Sequence, residues 1–111
     1  MNEKDYTIGG KEDIKSIYFN LINPSHKDGI INGRLPAGIY KTSIPIREGD
    51  YMVYRFGLKG IDSIFEVRIF YDEKRNGIER ADFCILKIIF GSDNDRKRSE
   101  SKLKELLGIK L

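Results

Sequence analysis

Tryptophan and glutamine are absent from this chain, cysteine and histidine occur once each, and proline occurs three times. With Cys84 alone there can be no intrachain disulfide, so burial and hydrogen bonding must hold the fold. One histidine and one cysteine also leave zinc short of its roughly four nitrogen, sulfur or carboxylate ligands. No apolar run approaches the roughly 20 residues a helix needs to span a bilayer. The opening "MNEKDYTIGG" has no basic start followed by an apolar run, so no secretory signal is expected. These absences lead to an expectation of a cytoplasmic protein with no membrane contact, metal or cofactor. Nucleophile chemistry lacks its usual signature, since no Gly-x-Ser-x-Gly turn occurs. The stretch "DGIING" lacks the glycine spacing and the Lys-Ser/Thr ending of a phosphate loop.

What is present is charge and isoleucine. Of the 111 residues, 33% are charged and 40% hydrophobic, with a net charge of +3. That length suits a single domain, residues 1–111. Residues 1–9 are expected to be flexible or loosely attached, because they show no apolar periodicity. The richness in Ile, Lys, Glu and Arg fits a thermophile, and equally an AT-rich genome. The isoelectric point of about 9.0 sits at the edge of the nucleic-acid-binding range, so the placement of charge matters more than its sum.

The first periodic block is "KEDIKSIYFNLIN". Ile14, Ile17, Tyr18, Leu21 and Ile22 recur at helical spacing, behind a permissible Gly10 N-cap and ahead of the breaker Asn23-Pro24. From Ile39 the period becomes two. "IYKTSIPI" reads as one strand, kept to an edge or bulge by Pro45. "YMVYRFGL" and "IFEVRIFY" follow as half-buried strands. "DEKRNG" carries the Asn-Gly of a tight hairpin. The fourth strand, "DFCILKIIF", is apolar on both faces and would make a hazardous edge. It must lie inside the sheet or meet another chain. In the closing block, Leu103, Leu106 and Leu107 form a short stripe; Asp93 or Asp95 can cap the helix and Gly108 can end it. The expected fold is α+β: a four-stranded, mainly antiparallel sheet with one N-terminal and one C-terminal helix packed on it. The helices could take one sheet face each, or share one and leave the other to a dimer. The expected core is Ile14, Ile17, Tyr18, Leu21, Val67, Ile69, Leu86, Ile88, Leu103 and Leu106.

Three features carry chemistry. The run Arg96, Lys97, Arg98 sits at a helix start, where positive charge opposes the macrodipole. It is either a solvated face or a contact for an external anion. The long connection 23–38 holds His26, Lys27 and Arg34. Its Ile30 and Ile31 either plug the core, or its cations form a donor set for phosphate or carboxylate. Tyr51, Tyr54, Arg55, Phe56 and Lys59 interleave aromatic and basic side chains, as base-stacking sheets do, and as ordinary cross-strand packing does. The leading expectation is a small non-enzymatic binding module for nucleic acid or an acidic, nucleic-acid-handling protein surface. Arg96, Lys97 and Arg98 would make the main contacts, with Lys27 and Arg34 second. An inhibitor or adaptor of the kind mobile elements encode is the alternative. A small ribonuclease-like enzyme using His26, Arg34 and a tyrosine is the third. A homodimer through the fourth strand is compatible with each.

Overall fold

A strand as apolar as "CILKIIF" needs partners along both edges, and it has them. In the computed structural model, which describes residues 2–22, 35–70 and 83–111, Asn2–Ile8 forms a strand, β1. Helix α1 spans Lys11–Ile17 and runs into a π-helical turn, Tyr18–Ile22. Two short strands follow, β2 (Ile39–Lys41) and β3 (Ile46–Glu48). Then come β4 (Tyr51–Leu58), β5 (Ser63–Phe70), β6 (Cys84–Phe90) and helix α2 (Asp93–Leu107). They make one six-stranded antiparallel sheet in the order β1-β6-β5-β4-β2, with β3 also on β4.

This corrects the four-stranded expectation at two places. The N-terminal residues expected to be loose are β1, paired with β6 from Asn2 opposite Phe90 to Ile8 opposite Cys84. As an edge strand it places only Tyr6 and Ile8 against the core, so its apolar signal is faint. The expected single strand 39–46 is two strands, because Pro45 has no N–H to give and falls in the break between them. The broad α+β class stands. The Asn-Gly hairpin signal at Asn76-Gly77 and most of the long connection lie outside the described residues.

Alternation divides the sheet into two faces, although Val53 and Glu66 are buried on the face away from the helices. Ile8, Phe56, Phe65, Val67, Ile69, Cys84, Leu86, Ile88 and Phe90 point to one side and join Ile14, Ile17, Leu21, Leu103 and Leu107 in one core. Both helices therefore share that side. Of the expected core, Tyr18 and Leu106 are only half-buried, and Leu107 takes the inner place instead. Phe56 and Phe65 stack across the β4–β5 pair with centroids 5.3 Å apart. Cys84 is wholly buried, and that burial, with Asp13 second, pushes its thiol up to about 12. It stays protonated and behaves as a small hydrophobe.

Helix α2 starts at Ser92, whose hydroxyl accepts from the Asp95 amide at 3.2 Å. Asp93 and Asp95, expected as caps, lie inside the first turn, where they complement the macrodipole. The helix ends at Gly108, whose φ of 65° is left-handed and suits a residue without a Cβ. Ser16 donates to the carbonyl of Leu107, one of the orphan acceptors of that end. Asp13 accepts from the Lys110 amide at 3.2 Å. These bonds fix α1 beside the C-terminal end of α2. No described helix is long and apolar enough to cross a membrane.

Candidate functional site: a cationic groove beside α2

The leucine stripe docks the C-terminal half of α2 onto the core, and the cationic start of the helix carries no such stripe. It is docked as well, through polar contacts. Ser99 is fully buried; its hydroxyl lies 2.7 Å from that of Ser63 on β5 and donates to the Asp95 carbonyl. Arg96 turns inward. Its guanidinium donates to Glu100 at 2.8 Å and lies 3.9 Å from Asp93. Tyr6 of β1 donates its hydroxyl to the same Glu100 carboxylate. Lys4 stands 3.7 Å from that carboxylate and 5.1 Å from the centre of the Tyr6 ring. Arg96 is therefore a strut that clips the edge strand to the helix.

The electrostatics agree. The Tyr6 phenol is raised well above its usual value, by burial first and then by the Glu100 hydrogen bond and charge. Burial pushes Glu100 up, yet bonds from Tyr6 and Arg96 and the charges of Arg96 and Lys4 outweigh it, and the net shift is downward. A carboxyl lowered in the folded state contributes stability that is full above the unfolded glutamate value. That contribution is lost as pH falls through the folded value. The raised phenol contributes in the opposite sense, losing its share only as pH rises through its folded value. Urea midpoints taken from about pH 7 down to about pH 3 are expected to fall more steeply for the wild type than for Glu100→Gln. Parallel curves would mean the cluster does not stabilise the fold.

The other two members of the run face outward. Lys97 and Arg98 are exposed, and they line a shallow, open groove of about 450 Å³ with Lys59, Gly60, Lys102 and Glu105. Lys59 comes from the β4–β5 turn. That turn needs Gly60, whose φ of 79° is left-handed. The carbonyl of Gly60 accepts from Arg98 at 3.2 Å, and Asp95 stands 3.8 Å from the same guanidinium. Arg98 is thus held in place rather than free. Lys102 lies 3.9 Å from Glu105. Lys59 and Lys97 have no ion pair among the described residues. The groove combines four cations with one lining acid.

The remaining sequence candidates separate. Tyr54 and Phe56 face the helices, whereas Tyr51 and Arg55 face the opposite side of the sheet. They do not form one surface with Lys59. Tyr51 packs edge-on against Phe70 at 6.0 Å. Arg55 donates to Glu66 at 2.7 Å. Lys27, Arg34 and His26 lie outside the described residues. Among the described residues no group of three His, Cys, Asp or Glu side chains is placed to hold a metal. The residue that sequence reasoning undervalued is Lys59. It was grouped with its own strand, but the turn that follows carries it to α2.

No protein-family model matches the chain, and no solved structure matches it. Over 82 residues the chain is 35% identical to Jacalin-related lectin 44 of Arabidopsis thaliana. The match covers 72% of this chain and 12% of that protein. The chain therefore spans only a small part of the curated relative it matches.

Proposed function

We propose that the chain is a small binding module that takes nucleic-acid phosphates into the groove between α2 and the β4–β5 turn. The observation that carries this is the convergence of Lys59 and Lys97, without acidic partners among the described residues, on a groove flanked by Arg98 and Lys102. An arginine already held by a backbone carbonyl loses less side-chain freedom on meeting a phosphate. Arg96 drops out of the contact set, because Glu100 and Asp93 already neutralise it. No catalytic step is needed for this role.

Neutralising two or three phosphates releases about as many counterions. Affinity for a short oligonucleotide is then expected to fall about 10- to 40-fold between about 50 and about 200 mM salt. A Lys59→Glu/Lys97→Glu pair should abolish most of that dependence while leaving the thermal midpoint near the wild type. Binding that ignores salt, or that the pair leaves intact, would remove the reading. An acidic protein surface would meet the same cations. Capture of a protein that survives nuclease treatment would favour that target over nucleic acid.

A second reading follows from the similarity to a lectin. In it the module binds a carbohydrate, and the cationic groove suits an anionic sugar better than a neutral one. A glycan panel set beside the oligonucleotide distinguishes the two. Retention of sulfated or uronic-acid glycans alone would support the carbohydrate.

A further inference from the structure

The sheet face away from the helices carries a pattern that neither binding reading uses. No described helix covers it. By strand register it presents Tyr40, Ile46, Ile64 and Phe70, which are four of the five exposed large hydrophobic side chains among the described residues. Ile85 and Ile89 of β6 lie half-buried on the same face. Across its middle runs one row of charges in register: Asp5 on β1, Lys87 on β6, Glu66 on β5 and Arg55 on β4. Their signs alternate from one strand to the next. Ion pairs tie this row to its neighbours. Lys87 reaches Glu3 at 3.8 Å, and Glu66, only 5% exposed, is held by Arg55 at 2.7 Å and Arg68 at 3.3 Å.

We propose that this face binds a second copy of the chain, face to face, about a twofold axis that runs along the strands between β5 and β6. An alternating row with an even number of charges is complementary to its own reverse. Rotation about that axis reverses the row and leaves its level along the strands unchanged. Lys87 then meets the second copy's Glu66, and Asp5 meets its Arg55. The flanking row, Glu3, Ile89, Ile64 and Gly57 with the Tyr40 ring over it, sets Ile89 against the second copy's Ile64. A twofold axis across the strands at this row would instead stack each charge on its like, which is repulsive. Charge therefore selects one of the two ways two sheets can pack in line. Glu66 is already desolvated between two arginines in the single chain, so burying it further adds little to the usual cost of a buried ion pair.

Five strands about 4.8 Å apart and about seven residues long give a footprint of about 500 Å². That is below the roughly 800 Å² per partner of a standard stable interface. The association is accordingly weak and concentration-dependent. The groove beside α2 lies with the helices, on the other side of the sheet, so the two sites do not compete.

Sedimentation equilibrium from about 10 to about 500 µM tests this. The weight-average mass is expected to rise from 12.8 kDa toward twice that value. Asp5→Lys, an exposed edge substitution with no ion pair to lose among the described residues, should weaken the dimer at least about tenfold. Ile64→Asp should do the same, and Lys15→Glu on α1 should change nothing. A mass that stays at 12.8 kDa throughout overturns the proposal. So does a dimer that Asp5→Lys leaves unchanged while circular dichroism shows the variant folded.

Discussion

Removal of residues 1–8 is expected to make the chain aggregate edge to edge through β6. β6 carries Ile, Leu and Phe along almost its whole length and is paired on one side by β5 and on the other by β1. Without β1, its N–H and C=O groups and the inner ends of Leu86 and Ile88 become an open apolar edge, a template for pairing with another chain. Three losses add to this. Ile8 no longer contributes its burial, worth about 1.5 to 3 kcal/mol. Tyr6 no longer bonds Glu100. Arg96 loses the carboxylate geometry that Tyr6 and Lys4 help to set. Thioflavin fluorescence and light scattering at micromolar concentration should both rise relative to the full chain. A truncated chain that stays monomeric with an unchanged melting curve would show that β1 contributes nothing to covering β6.

Phe65→Ala is expected to bring the fold close to its stability limit. Phe65 is 1% exposed, sits near the middle of the sheet opposite Phe56 and Ile88, and stacks on Phe56. Aromatic truncations of this kind cost about 3 to 5 kcal/mol, the transfer loss plus the cavity left behind. Domains of this size hold only about 5 to 15 kcal/mol in total. Urea denaturation should show a much lower midpoint with a similar slope. The neighbouring Ile64→Ala offers the contrast. Ile64 is 41% exposed on the helix-free face, and its loss should cost under about 1 kcal/mol. Equal costs at these adjacent positions would contradict the division of the sheet into a covered and an open face.

The strong periods were legible in the sequence. The helical stripe Ile14, Ile17, Leu21 and the alternation in β4, β5 and β6 place the core side correctly, because burial imposes its own spacing on the chain. The requirement that β6 have neighbours on both sides followed from its two apolar faces. Its second neighbour was not legible. β1 inserts only Tyr6 and Ile8 into the core, and Asn2, Glu3, Lys4 and Asp5 hide the alternation. The expected site was half legible. Charge along α2 showed that cations gather there. It did not show that Arg96 faces Glu100 while Lys97 faces the groove. Adjacent positions on a helix differ by about 100° in direction, and Tyr6, which helps to fix the Glu100 carboxylate that Arg96 meets, lies 94 residues from Glu100 in the chain. Lys59 was placed with the aromatics of its own strand rather than with α2 for the same reason, since only the β4–β5 turn brings it there.

The groove is tested most directly by titrating the isotopically labelled chain with a short oligonucleotide and following its backbone amides by NMR. Shifts are expected at Lys59, Gly60 and from Lys97 to Lys102, strong at about 50 mM salt and much reduced at about 200 mM. The amides of Ile64, Glu66 and Arg68 should stay where they are. Shifts confined to those sheet positions, or an oligonucleotide that moves no resonance at the lower salt, would contradict the assignment of phosphate binding to the cations beside α2.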